Sequence, residues 1–158
     1  MQPKSPSDSA TEMVQVVLPN DANPLGFILG GTVMHLIDIA GAIASFRHAR
    51  QRVVTAAVDD LVFLHPIKVG DLIILKARVT CTFSTSLEVQ VDVFSEESLT
   101  GLRQLTSRAF LTFVAIDEAG SRVPVPPLLI ETAEDEKVSR QARARREQRL
   151  ERRAAHTA

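Results

Sequence analysis

Three groups of residues in the first third of the chain have the types and spacing for carbonyl chemistry: Asn23, the pair Gly30-Gly31, and Asp38. Attack on a carbonyl needs a base or nucleophile, a group that orients the attacking water, and donors for the oxygen that becomes negative. Asp38 lies in the apolar run PLGFILGGTVMHLIDIAGAIASF, with no Lys or Arg three or four positions away. Its carboxylate can deprotonate a water or attack the carbonyl directly. Burial disfavours that charged form unless polar partners stabilise the anion. Asn23 can accept from a water and donate to an oxygen. Gly30 and Gly31, lacking side chains near a helix start, let backbone N–H groups approach an oxyanion.

Each of these residues also has a plainer role open to it. A lone helical Asp can be a satisfied core or interface residue, Asn23 before Pro24 is an ordinary turn signal, and a Gly pair can serve close helix packing. His35 stands one turn before Asp38 but reads better as a structural histidine, and no G-x-S-x-G motif accompanies it. His35, His48, His65 and His156 lack metal-ligand spacing, so no metal is expected. Cys81 falls on the inward side of a strand pattern and is expected in the core.

The elements that must position these groups follow from the hydrophobic pattern. A Pro/Asn/Asp-rich loop, 19–24, leads through the Gly pair into a helix whose apolar residues, Val33 to Ala44, fall on every side. That pattern predicts a helix buried all round by a sheet. The 20 residues from Phe27 to Phe46 are long enough to span a bilayer, but Asp38 near the centre, His35 and three glycines argue against it. Before the loop, Met1 to Glu12 is polar and without apolar period, which predicts disorder. Val14 to Leu18 predicts a short strand. After the helix, Arg52 to Leu64 predicts a long strand in which Asp59-Asp60 marks a bulge or an edge. Leu72 to Phe83 and Ser86 to Ser95 alternate apolar with polar residues and predict a hairpin turning at Ser84-Thr85. Leu102 to Ile116 predicts a last long strand. The order favours an antiparallel sheet with its helix on one face, an α+β fold, over a doubly wound parallel one.

With 158 residues, 45% hydrophobic and 23% charged, the chain suits one globular domain. The net charge of -1 conceals a basic tail: positions 137–153 hold eight basic and two acidic residues. Glu131 onward predicts a charged helix with few apolar anchors, peripheral and partly frayed. One cysteine excludes an intrachain disulfide, and no apolar leader opens the sequence; the cytoplasm is the expected compartment. A nucleic-acid role has only the basic tail behind it, since Trp and Tyr are absent and stacking platforms are scarce.

The runs PNDANPLGFILGGTVMHLID, RVVTAAVDDLVFLHPIKVGDLIILKARV, STSLEVQVDVF and LTGLRQLTSRAFLTFVAID, in this order, resemble the hotdog-fold acyl-CoA thioesterases of the acyl-CoA hydrolase group. The likeness covers Val14 to about Pro127. It implies a long central helix wrapped by an antiparallel sheet over 13–127, with 1–12 as a disordered lead and 128–158 as a charged helical tail. It also implies hydrolysis of acyl-CoA to fatty acid and CoA, with CoA as part of the substrate and no separate cofactor. Asp38 and Asn23 would be catalytic, Gly30 and Gly31 would supply oxyanion donors, and Ser84, Thr85 and Ser86 would form the CoA loop. Members pair as dimers and often assemble as trimers of dimers, which implies a homo-oligomer with Asn23 of one chain facing Asp38 of the other. Nucleic acid and membrane partners are not expected. Many members carry Phe where Leu29 sits, and Gly-Arg or Gly-Lys where Phe83-Ser84 precede Thr85; these departures bear on acyl-chain preference and on the CoA loop. The competing function is a noncatalytic acyl-CoA-binding regulator of the same fold.

Overall fold

The computed structural model describes residues 1–157. A helical turn α1 (Pro6–Ser9) and strand β1 (Thr11–Val16) precede helix α2 (Gly30–Ala49). Strands β2 (Arg52–Phe63), β3 (Leu72–Thr82), β4 (Ser86–Glu96) and β5 (Arg103–Ile116) follow, and helix α3 (Ala133–Thr157) ends the described chain. The strands form one sheet in the order β1-β3-β4-β5-β2, with every neighbouring pair antiparallel. β1 and β2 are its edges.

The sheet's inner face packs on α2. Val33, Leu36, Ile37, Ala40 and Ala44 of the helix join Leu75, Ala77, Val79, Val89, Val91, Val93, Leu111 and Phe113 in one apolar cluster. These helix positions recur every three or four residues and so form a single stripe. Gly41 lies in the same stripe, and a Cβ there would stand 3.0 Å from the Phe113 ring. Glycine at this position lets the helix approach β5.

The helix is not covered on all sides, contrary to the sequence expectation. Met34, His35 and Phe46 are exposed, and Asp38 and Ala42 between them are half-buried. The sequence is apolar around the whole helix, but one chain supplies a sheet for only one side. The second apolar stripe stays uncovered in the single chain.

The strand expectations hold to within a few residues, including the irregularity at the acidic pair. The β2–β5 register shifts between Asp59 and Val62, and Asp60 has φ of 55°, in the left-handed region. β2 is both bulged and an edge.

The lead segment is a correction. Ser5 N–H donates to Asp8 Oδ2 at 2.9 Å, which caps α1, and Lys4 exchanges backbone hydrogen bonds with Pro127 and Leu129 at 3.0 and 2.7 Å. β1 begins at Thr11, inside the stretch expected to be disordered. The capping signal Ser-Pro-Ser-Asp stood in the sequence, but it stabilises only a single turn, and the rest comes from tertiary contacts.

The tail is a second correction. α3 runs unbroken to Thr157 across the outer face of the sheet, with Asp135, Ser139 and Ala142 buried. Asp135 pairs with Arg78 of β3, Arg145 with Glu88 of β4 at 2.8 Å, and Arg149 with Asp59 of β2 at 2.7 Å. Ion pairs hold it where apolar anchors are few. Among the described residues, no helix is long and apolar enough to cross a membrane.

Candidate active site

Asp38 occupies the middle of the uncovered stripe of α2. Its Oδ1 accepts a hydrogen bond from Thr55 Oγ1 at 2.7 Å. Thr55 pairs in register with Phe113, whose ring lies beneath α2, so the alternation of β2 turns the Thr55 hydroxyl toward the helix. This is the polar partner that the sequence reading left open for the carboxylate. Thr55 itself was missed: a threonine in a β-branched run carries no local sign of a role, and only the register brings it to Asp38. His35 makes no hydrogen bond to Asp38 and is exposed, in keeping with its structural reading.

Asn23 lies elsewhere in the chain. Its backbone N–H donates to Phe27 O at 2.8 Å, and its Oδ1 accepts from the N–H groups of Leu25 and Phe27 at 3.0 and 3.1 Å. The side chain thus shapes its own loop through one atom and keeps its Nδ2 donors free, among the described residues, for a ligand. Turn residue and binding residue are compatible here.

The loop delivers the Gly pair to the start of α2. The first intrahelical bond is from Val33 N–H to Leu29 O at 3.1 Å, which leaves the N–H groups of Gly30, Gly31 and Thr32 without an intrahelical acceptor. A Cβ on Gly31 would meet nothing within 4 Å, so packing within the chain does not require glycine there. At Gly30 the nearest atoms would be those of the Phe63 ring, 3.6 Å away. Asn23, Gly30, Phe63 and Val33 line one cleft of about 300 Å³ together with Ile28, Ile67 and Thr106. It is largely apolar, with donors at one end.

Asp38 does not line that cleft, and no hydrogen bond joins it to Asn23. Gly30 and Asp38 are separated along the helix by about 12 Å at 1.5 Å per residue. Within one chain the structure therefore holds these groups at two separate places: a carboxylate accepting from Thr55, and a cleft around Asn23 and Gly30. Val58 and Phe63 of edge strand β2 and Met34 of α2 are large apolar side chains left exposed.

Ser84, Thr85 and Ser86 form the tight turn between β3 and β4, closed by Phe83 N–H to Ser86 O at 2.8 Å. They lie at a different place, on a cleft shared with α3. Cys81 is buried, but a bulge between Val79 and Cys81 pairs it with Glu88, whose carboxylate faces α3. It is therefore outside the main apolar cluster, on the outer face rather than the inner one. Among the described residues, no group of three or more His, Cys, Asp or Glu could hold a metal.

Comparison with known proteins agrees with this architecture. The thioesterase superfamily model matches residues 25–102. An uncharacterized acyl-CoA thioester hydrolase of Bacillus subtilis is 42% identical over 119 residues, which cover 75% of this chain and 69% of the relative. The rat cytosolic acyl coenzyme A thioester hydrolase is 32% identical over 99% of this chain, which spans only 42% of the rat protein's length. Among solved structures, an apo-hexameric acyl-CoA thioesterase superposes with a TM-score of 0.92 at 42% identity, covering 98% of this chain and 99% of its own. The acyl-CoA hydrolase of Staphylococcus aureus, solved with butyryl coenzyme A and coenzyme A, is 34% identical, with a TM-score of 0.89 over 98% of this chain and 94% of its own. That hydrolase has also been solved with an asparagine, an aspartate and a threonine each replaced by alanine, and those positions are spaced by 15 and 17 residues. Asn23, Asp38 and Thr55 stand in the same order at the same intervals. The match in fold, extent and sequence places this chain in the thioesterase superfamily, as a hotdog-fold member of the acyl-CoA thioester hydrolases.

Proposed function

We propose that this enzyme hydrolyses acyl-CoA to a free fatty acid and CoA at a site completed by a second copy of the chain. The observation that carries the reading is the pair of half-sites: Asp38 with Thr55 faces outward from one place, and Asn23 with the Gly30 and Gly31 N–H groups from another. Two antiparallel α2 helices, side by side, would bring the loop of one chain near the middle of the other helix. The same contact would cover Met34, Val58 and Phe63 and pair the free edge of β2. The hexameric relative supports assembly of this chain into a homo-oligomer. The cytosolic relative supports a cytoplasmic location.

The chemistry follows from the groups. The thioester carbonyl oxygen rests against the Gly30 and Gly31 N–H donors, and Asn23 Nδ2 donates to it or to the attacking water. The Asp38 carboxylate, oriented by Thr55, takes a proton from that water as its oxygen adds to the carbonyl carbon. The tetrahedral intermediate collapses by breaking the carbon–sulfur bond. The CoA thiolate leaves and takes the proton from Asp38, which restores the carboxylate. The apolar wall of Phe27, Ile28, Val33 and Phe63 gives the acyl chain a lining, and Phe63 against Gly30 limits its depth.

Complementation tests the shared site. Asp38→Ala and Asn23→Ala chains, each nearly inactive alone, are co-expressed with different tags and the mixed dimer is purified. One of its two sites lacks both residues and the other keeps both, so thiol release from acyl-CoA should recover to about half of wild type if the sites act independently. A correctly mixed dimer as inactive as its parents would refute a site built from two chains.

A further inference from the structure

Gly41 stands on the buried stripe of α2, where glycine has the least to offer a helix. It loses more backbone freedom on folding than alanine does and brings no side chain to the core. The Cβ that alanine would carry meets Cε2 and Cζ of the Phe113 ring, each 3.0 Å away, with Val91 Cγ2 at 3.7 Å. Ordinary contact between carbons is about 3.5–4.0 Å, so a methyl group does not fit at the present spacing. The next closest approach at any of the seven glycines is 3.6 Å, at Gly30.

This contact lies beside the Asp38–Thr55 hydrogen bond in two directions. Along α2, Asp38 precedes Gly41 by about one turn. Across the sheet, Thr55 pairs in register with Phe113, whose ring is the one beneath Gly41. Thr55 faces the helix because β2 carries an extra residue at Ala56. Val58 pairs with the core residue Leu111, and unbroken alternation from Val58 would turn Ala56 inward and Thr55 outward; the register shift between Thr55 and Ala57 reverses that. The sheet thus presents Phe113 and Thr55 side by side to one turn of α2. Phe113 sets how near that turn can come, and Thr55 needs it near enough for a 2.7 Å bond.

We infer that Gly41 is a positioning residue for the reaction: by admitting the Phe113 ring against α2, it sets the helix-to-sheet gap at which the Asp38 carboxylate meets the Thr55 hydroxyl. The catalytic half of this rests on the proposed role of Asp38. A methyl group at position 41 must open the gap by about 0.5–1 Å. The ring has little room to yield, since Phe113 is 1% exposed within a close-packed core. What yields is the helix, whose opposite side, at Met34, His35 and Phe46, is exposed in the chain. Asp38 moves with it. A donor–acceptor distance of 2.7 Å then passes beyond the limit of about 3.2 Å for a well-made hydrogen bond.

The test is Gly41→Ala in the full chain, with circular dichroism and size-exclusion chromatography to verify fold and assembly. Crystal structures of wild type and variant give the distance from Asp38 Oδ1 to Thr55 Oγ1, and thiol release from acyl-CoA gives kcat and KM. The expected result is a distance beyond about 3.2 Å and a kcat lower by about tenfold, with KM within about twofold of wild type. Thr55→Val combined with Gly41→Ala should be no slower than Thr55→Val alone, because the bond is already gone. Adding Phe113→Leu to Gly41→Ala, which takes away the ring edge, should return most of the rate. An unchanged distance, or a kcat within about twofold of wild type, overturns the inference. Losses that multiply in the Thr55→Val and Gly41→Ala combination overturn it too, as the mark of general damage. Should Gly41→Ala not fold alone, its combination with Phe113→Leu is compared with Phe113→Leu: equal kcat supports spacing through the ring, and a deficit of about tenfold overturns it. Failure of the Asp38 reading would be seen separately, as near wild-type turnover in Asp38→Asn; that removes the catalytic half, and the measured distance still decides whether Gly41 sets the gap.

Discussion

Replacing Thr55 with valine keeps the shape and the β-branch and removes only the hydroxyl that donates to Asp38 Oδ1 at 2.7 Å. A hydrogen bond to a charged group contributes about 1.5–3 kcal/mol. Thr55 is exposed and Asp38 half-buried in the single chain, so the fold gains little from the bond, and water can replace it when substrate is absent. In the closed site the carboxylate must hold one orientation while it takes a proton, and most of the bond energy then counts toward the transition state. At 1.36 kcal/mol per decade, the expected loss in kcat is about 10- to 100-fold. Thiol release under saturating acyl-CoA reads kcat, and thermal melting should shift by no more than about 4 °C. Thr55→Ser, which restores the hydroxyl, should return most of the rate. A folded Thr55→Val oligomer with kcat within about twofold of wild type would refute the argument that Thr55 positions Asp38.

Two stability predictions concern groups away from the site. His48 is fully buried, and its Nε2 donates to Pro126 O at 2.7 Å, which leaves Nδ1 as an unmatched acceptor in the neutral ring. Burial lowers its pKa below the usual 6.5, only partly offset by the Pro126 carbonyl, so the unfolded chain takes up a proton before the folded one does. Melting temperature should be flat above about pH 7 and fall as pH drops below 6.5, and His48→Gln should flatten that slope; an unchanged slope in the variant would assign it to other groups. Arg145 holds the buried Glu88 carboxylate through two hydrogen bonds of 2.8 and 3.0 Å and lies 3.6 Å over the Phe110 ring. Arg145→Ala should cost about 3–5 kcal/mol in urea unfolding, and adding Glu88→Gln should recover part of it, because the larger share is a buried charge left alone. Equal destabilisation in single and double variants would point to lost packing instead.

β3 and β4 were legible because apolar and polar residues alternate along them, and the acidic pair marked the irregularity of β2. The α2 helix was legible in place and length but not in its burial. An apolar residue on its outward side looks the same in sequence whether a sheet of the same chain or a second chain covers it. Asp38 and Asn23 stood out as polar groups in apolar or turn-rich surroundings, whereas Thr55 did not, because its role depends on strand register. The lead segment and the tail were misread for a common reason. Both have too few apolar residues for a periodic signal, and both are held by long-range polar contacts, Lys4 with the backbone around Pro127 and His48, and the α3 arginines with the outer face. Such contacts join residues far apart in sequence, 44 positions for Lys4 and His48 and 90 for Asp59 and Arg149, which no local window contains.

The way α3 is held has a consequence for how the chain is made. Its partners Glu88, Asp59 and Arg78 belong to three different strands, so no docking surface exists until the sheet has formed. During synthesis the strands leave the ribosome before the helix does, and at about 5–20 residues per second the interval before the helix follows is on the order of seconds. A sheet waiting that long with an apolar outer face would invite contact with other nascent chains. This one waits with Glu88 and Asp59 on that face, and water solvates them until the arginines arrive. The same acids that later anchor the helix keep the unfinished protein hydrated.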